Sequence, residues 1–338
     1  MIPFKNLDLP PVTQQEMEAI YDRIRTPFKY GPVLKLENDY TDSPSVFFHD
    51  GKWYMYYISI AKDVSVSGYE THLAVSSDLL HWEQVGTIFR RNDENRWDSR
   101  QCAGYAAFMD PMWGGTNMLQ RVNGKYYISY LAGNSDGYEP DPLYMGLAYS
   151  DSPIHEFTRL PEPILKPEDP DSRHDETKTL YRSFLFEDAA QITGYPYVNV
   201  YNGKDFDDRE RIFCAVSRDA EHWERYGDRP LIDEATGDPE HIISGDPQIF
   251  KIGSFYVMFY FKYNRKGHAF ENFACSRDFV NWTIWQGQPL IAPSENWDAR
   301  HAHKPWVIQK DGVVYHYYCA CNDNRERFIA LATSRKVW

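Results

Sequence analysis

The sequence predicts an all-β protein, a five-bladed β-propeller with an N-terminal helical arm, on three observations. A small-residue phrase recurs: Ala74-Val-Ser-Ser-Asp78 with Trp82, Ala148-Tyr-Ser-Asp-Ser152, Ala215-Val-Ser-Arg-Asp219 with Trp223, Ala274-Cys-Ser-Arg-Asp278 with Trp282, and a truncated Ala332-Thr-Ser-Arg335. A tyrosine-rich run precedes each copy: Trp53-Tyr-Met-Tyr-Tyr57, Tyr126-Tyr-Ile-Ser-Tyr130, Tyr195-Pro-Tyr-Val-Asn-Val-Tyr201, Phe255-Tyr-Val-Met-Phe-Tyr260 and Tyr315-His-Tyr-Tyr318. Gly or Asp-Gly makes the hairpin turn into these runs. Short strands repeating at about 40 residues or more are the mark of a propeller.

Residues 1–39 are read as the arm. Within 13–25, apolar side chains at Met17, Ile20, Tyr21 and Ile24 follow the spacing of an amphipathic helix, and Thr13 with Glu16 forms a capping box. Such a helix packs on its own propeller or reaches a second subunit, so a homodimer through the arm is one expectation. Residues 40–338 hold the repeats. Blade one opens at Tyr40-Thr-Asp42 and ends near Trp82. Blade two spans about 100–160 with an insertion at Met109–Gly115, and blade three covers 181–226 after a charged connection at 166–178, read as a solvated loop. Blades four and five open at Ser244-Gly-Asp246 and His301-Ala-His303.

Composition narrows the function. A net charge of −13 argues against nucleic acid, whose binding draws on clustered Lys and Arg. No apolar run is long enough to cross a membrane as a helix, and the N-terminus lacks the pattern of a secretory leader. The expectation is a cytoplasmic protein, or a periplasmic one if a leader precedes this sequence. The 5 cysteines are an odd number without zinc-ribbon spacing and are expected as buried thiols. Aromatic residues make up 16% of the chain, which suits blade cores and stacking against sugar rings.

The first strand of each propeller blade lines the central channel. Counting back from the hairpin glycines places Asp42, Glu187-Asp188, Asp246 and His303-Lys304 at one mouth. An Asp before proline is also an ordinary turn former. Converging carboxylates suit cleavage of a glycosidic bond, because one must hold a proton for the leaving oxygen while another acts ionised, and crowding separates their pKa values. Two further phrases, Trp97-Asp-Ser-Arg100 and Trp297-Asp-Ala-Arg300, precede channel strands. They fit either a rim where indole and guanidinium hold a sugar or an Arg-Asp brace between blades. His301 and His303 face the same way on a strand and offer a ligand pair for a channel cation; no other cofactor is implied.

With Thr26-Pro-Phe-Lys-Tyr-Gly, Asp42-Ser-Pro-Ser-Val-Phe, Gly68-Tyr-Glu-Thr71 and Asp78-Leu-Leu-His-Trp82, the chain resembles the five-bladed propeller glycosidases of families 43, 32 and 117 over almost its whole length. The resemblance implies an exo-acting hydrolase of plant or algal oligosaccharides. Family 43 implies inversion with Asp42 as base, Asp246 tuning pKa and Glu187 as acid; family 117 puts the acid at His303. Glu187 lacks the proline that usually follows such an acid, so Glu187, His303 and, less directly, Asp188 stay open for that role. Trp97, Arg100, Asp188, Trp297, Arg300, His301 and Lys304 are the expected substrate contacts. Phosphorolysis would use Arg100, Arg300, His303 and Lys304 for phosphate, and a binding propeller without separated pKa values is the non-enzymatic alternative.

Overall fold

The repeated Ser-x-Asp phrase is turn chemistry. In the computed structural model, which describes residues 1–63, 65, 67–265 and 267–338, Ser76 Oγ accepts the backbone N–H of Asp78 and Leu79, and Asp78 Oδ1 accepts those of Leu80 and His81. Ser217-Asp219 and Ser276-Asp278 repeat the pattern. The turn puts Leu79, Ala220 and Phe279 in the left-handed region, at φ 70°, 72° and 66°. Short oxygen side chains are selected here because they replace the backbone partners that a tight turn loses.

Helix α1 (Gln14–Ile24) precedes β1 (Phe28–Leu34). One four-stranded antiparallel sheet contains β2 (Asp39–His49), β3 (Lys52–Ala61), β4 (Tyr69–Ser76) and β5 (Glu83–Phe89). The next contains β6 (Gln101–Ala106), β7 (Tyr126–Gly133), β8 (Tyr144–Ser150) and β9 (Thr158–Arg159). An eight-stranded sheet joins two antiparallel sets through the parallel pair Glu210 and Ile243. Its first set is β10 (Thr179–Glu187), β11 (Tyr197–Lys204) and β12 (Glu210–Ser217), with β13 (Trp223–Arg225) on β12; its second is β14 (His241–Ile252), β15 (Phe255–Asn264), β16 (Phe270–Ser276) and β17 (Trp282–Ile284). The last sheet has the order β1, β20 (Arg327–Thr333), β19 (Val313–Cys321), β18 (His301–Lys310). Strand β2 packs on β6, β6 on β10, β10 on β14, β14 on β18, and β18 on β2. The all-β class is as expected, and the cysteines are free and buried.

Three expectations change. Residues 28–34, assigned to the arm, are an integral strand of the last sheet, paired from Phe28–Thr333 to Leu34–Ile329. The helix does form with its capping box, but its apolar face lies on its own chain: Met17, Ile20 and Ile24 are buried, and Tyr21 stacks on Trp285 with ring centroids 4.9 Å apart. Full burial of such an aliphatic side chain contributes roughly 1.5–3 kcal/mol. The face that suggested a second subunit is therefore occupied within the chain. The 166–178 connection is no solvated loop either. It buries Arg173 and Glu176, and Glu176 Oε1 receives Arg173 Nη1 at 2.7 Å and Arg225 Nε at 2.8 Å while Oε2 accepts the Tyr201 hydroxyl at 2.7 Å. Alternating charges read as solvent-facing because sequence does not show that each has a buried partner.

Candidate active site

Backbone irregularities at the starts of the inner strands shape the site. The pairing of β2, β10, β14 and β18 with the neighbouring strand breaks at Asp42–Ser45, Leu180–Ser183, Gly245–Gln248 and His303–Trp306. In three of them the residue before a proline has a positive φ: Ser43 at 45°, Asp246 at 54° and Lys304 at 61°. Proline removes a ladder donor and restricts the residue before it, and a bulge bends the strand and re-aims its side chains. Left-handed non-glycine residues cluster where function justifies their strain.

These bulges surround a cavity of about 170 Å³ lined by Asp246, His301, His303, Lys304, Arg182, Arg327, Glu139, Glu210, Asn202 and the rings of Tyr69, Tyr105, Tyr138 and Tyr181, with Phe261 and Ile58 among its apolar walls. Asp42 lies behind this wall with no exposed surface. Its Oδ2 receives Arg327 Nη1 at 2.9 Å and Lys304 Nζ at 3.1 Å, and its Oδ1 accepts the Ser43 N–H at 2.7 Å. Burial pushes the Asp42 carboxyl up, but the Lys304 and Arg327 charges outweigh it and hold it well below the usual carboxylate range. Asp246 pairs with Arg182 Nη1 at 3.2 Å, and burial nevertheless raises its pKa.

Glu210 behaves oppositely to Asp42. It is buried at the start of β12, and burial together with the charge of Glu139 pushes its pKa up to about 8. Asn202 Nδ2 donates to Glu210 Oε2 at 2.6 Å. Glu139 has φ 49° and accepts the Tyr69 hydroxyl at 2.5 Å. A carboxyl kept protonated at neutral pH beside a second carboxylate is the arrangement that acid-assisted bond cleavage requires.

The histidines are neutral. Burial lowers His303 to about 3, with Lys304 adding to the effect against the opposing pull of Asp42; its Nδ1 donates to the Cys319 carbonyl at 2.9 Å. Burial likewise lowers His301 to about 4, and its Nδ1 accepts the Ala269 N–H at 3.1 Å. The protonated His303 expected as an alternative acid is thus replaced by a neutral imidazole, because desolvation and two nearby cations outweigh one carboxylate.

Among the described residues, Asp42, His303 and Cys319 bring potential metal-ligand atoms within 4.8 Å of one another. They fit a cation poorly, since Lys304 and Arg327 already neutralise Asp42 and burial keeps the Cys319 thiol protonated. His301, the other expected ligand, is not in this group.

Glu187 and Asp188 are not at this cavity. Glu187 ends β10 beside the hairpin loop 188–196 and lines a separate depression with Lys251 and Tyr256. Asp188 caps that loop, accepting the Ile192 N–H at 2.6 Å and the Tyr256 hydroxyl at 3.1 Å. The expected equivalence fails because Gly194 sits inside a long loop, so counting back from it reaches the hairpin end of the strand. The bulge places Arg182 at the mouth instead.

The Trp-Asp-x-Arg phrases are braces. Asp98 is buried against Arg96 Nε at 2.9 Å and the Tyr130 hydroxyl at 2.9 Å, and Asp298 takes Lys29 Nζ at 2.5 Å and the Tyr318 hydroxyl at 2.9 Å. Trp97 stacks on Tyr130, Trp297 Nε1 donates to the Tyr318 hydroxyl, and Arg100 bonds Asp136 through Nε and Nη2. None of Trp97, Arg100, Trp297 and Arg300 lines the cavity.

Sequence reasoning missed Glu139, Arg182, Asn202, Glu210 and Arg327. One signal was present: Glu139 is followed by Pro140, the neighbour that Glu187 lacks. Glu210 and Asn202 lie on second and third strands, outside the first-strand rule.

No protein-family model and no curated protein sequence matches this sequence. Among solved structures, one described as a glycoside hydrolase superposes with a TM-score of 0.91 at 39% identity, over 96% of this chain and 96% of that one. This chain therefore belongs to the glycoside hydrolases. A structure described as a complex of BT0996 with RGII matches this hydrolase with the same TM-score, identity and coverage. A thermostable family-43 glycoside hydrolase shares the glycosidase's fold at a TM-score of 0.62 and 18% identity, over 88% of this chain and 90% of its own.

Proposed function

We propose that the hydrolase removes one terminal sugar from an oligosaccharide of plant or algal origin, with Glu210 donating the proton to the leaving oxygen and Glu139 as the partner carboxylate. The single observation carrying this is the elevated pKa of Glu210 beside Glu139 in one cavity. Exo action is supported by size: about 170 Å³ lies below the ~300–1,000 Å³ of pockets for drug-sized ligands and suits one ring. The neighbour described as a complex with RGII supports an oligosaccharide substrate. We read the sheets as five propeller blades around this cavity, with α1 and the residues before it as the arm. Asp42 then acts as the counter-ion that fixes Lys304 and Arg327, and Asp246 does the same for Arg182.

Phosphorolysis is the weaker reading. Arg182, Lys304 and Arg327 line the cavity, but each is matched to a carboxylate that phosphate would have to displace. A purely binding function is disfavoured by the separated carboxyl pKa values of Asp42 and Glu210. The test is Glu210→Gln on a natural oligosaccharide and on an aryl glycoside with a good leaving group. Loss of about 10²–10⁴-fold on the first, with the second largely kept, is expected of a general acid; equal effects on both overturn the assignment.

A further inference from the structure

Resting on the reading of Glu210 as acid, we infer that Asn202 is a positioning residue that decides which oxygen of Glu210 carries the proton. Asn202 is 1% exposed, lines the cavity, and lies on β11 two residues before Lys204, the cross-strand partner of Glu210. Both side chains therefore stand on one face of the sheet as a diagonal pair.

The orientation of the amide is fixed from its other end. The Asp246 backbone N–H donates to Asn202 Oδ1 at 3.2 Å. A backbone N–H can only donate, so Oδ1 must face it and Nδ2 must face Glu210. Nδ2 in turn donates to Glu210 Oε2 at 2.6 Å, and an oxygen receiving an N–H there is not the one that holds the acidic hydrogen. The proton is consigned to Oε1, the oxygen Asn202 leaves free. A main-chain group at the strained, left-handed Asp246 thus sets the tautomer of an acid on another strand.

The backbone makes room for this contact. A Cβ placed on Gly245 would come 3.0 Å from Asn202 Nδ2 and 3.2 Å from Phe261 Cε1, so a side chain there would press on the amide. Gly245 precedes Asp246 in the bulge of β14, which couples the chain geometry at 245–246 to both ends of the Asn202 amide.

The charged groups around Glu210 are Glu139, Lys204 and Asp246, with the Tyr181 hydroxyl also close enough to interact. Lys204 and Asn202 favour its ionised form, while Glu139 and Asp246 favour the protonated one. Removing the Asn202 donor therefore raises the pKa of Glu210 and scrambles its tautomer.

The experiment measures kcat and KM against pH for Asn202→Asp, Asn202→Ala and Gly245→Ala, on a natural oligosaccharide and on an activated aryl glycoside, with Glu210→Gln alongside. Asn202→Asp keeps the shape but turns a donor into an acceptor that draws the proton of Glu210 toward itself. Expected is a fall in kcat of about ten- to a hundredfold on the natural linkage, little change in KM, and near-normal aryl hydrolysis. Asn202→Ala is expected to move the basic limb of the natural-substrate profile to higher pH, with a smaller movement in Gly245→Ala. If Glu210→Gln shows the leaving-group pattern but the Asn202 variants lower both substrates equally with an unmoved basic limb, the positioning role is overturned while the acid assignment stands. If Glu210→Gln itself lacks that pattern, the reading of Glu210 fails and takes this role with it.

Discussion

Arg327 lies 285 residues after Asp42 in the sequence and places Nη1 2.9 Å from its Oδ2. Together with Lys304 it gives a wholly buried carboxylate two cationic partners. Breaking a buried pair by deleting one member typically costs about 3–5 kcal/mol, because the remaining charge is stranded. Asp42→Asn is therefore expected to lower the unfolding midpoint sharply as well as the activity. The depressed pKa of Asp42 adds a pH signature: its stabilisation is complete above the unfolded value near ~4 and is lost as pH falls toward the folded one. Thermal melts between pH 3 and pH 7 should show a steeper acid loss in the wild type than in the variant.

Glu210 predicts dependence at the other end of the scale. Its folded pKa of about 8 exceeds the unfolded value, so the native state binds more protons than the unfolded polypeptide from roughly pH 4 to 8, and stability declines with rising pH across that window. Hydrolysis of the natural linkage is expected to fall above about pH 8 as the proton is lost. Glu210→Gln removes the titration, and its melting temperature should exceed that of wild type at pH 9 and approach it below pH 4.

Helix α1 is expected to be a stabilising strut of the monomer. Ile24 is fully buried, and Ile24→Ala should cost about 2–5 kcal/mol in chemical denaturation. The midpoint should not vary with protein concentration. A midpoint that rises with concentration would instead show that this helix joins two copies.

The sequence resemblance implies inversion at the anomeric carbon. Proton NMR during the first minutes of hydrolysis should then show the anomer opposite to that of the substrate. Initial accumulation of the same anomer would point to a covalent intermediate and to carboxyls only ~5–5.5 Å apart.

What was legible in the sequence follows from range. The tyrosine-rich runs and the Ser-x-Asp turns are local devices, and each repeat carries its own instructions, so the strands and their grouping could be read directly. The mouth was readable where proline marks the bulge, at Asp42-Ser-Pro44, Asp246-Pro247 and Lys304-Pro305. It was misread at β10, which has no proline and a longer hairpin loop, so Glu187 stood in for Arg182. The acid was hidden for a different reason. A glutamate between Arg209 and Arg211 looks like one of many surface charges, and its elevated pKa arises only when Glu139, from another sheet, is folded against it. The Trp-Asp-x-Arg phrases mislead in the opposite sense, because a buried brace and a sugar-binding rim use the same side chains.

The pairing of β1 with β20 sets an order of events during synthesis. A ribosome must complete Arg327–Thr333 before Phe28–Leu34 has a partner, so one of the earliest strands waits as an unsatisfied edge until almost the entire polypeptide has emerged. Non-local pairing of this kind slows folding and leaves an exposed template for misassembly. The same late segment delivers Lys304 and Arg327 to Asp42, so the cavity acquires its balanced charges only at the close of translation, and a polypeptide halted early holds a desolvated carboxylate with nothing to neutralise it.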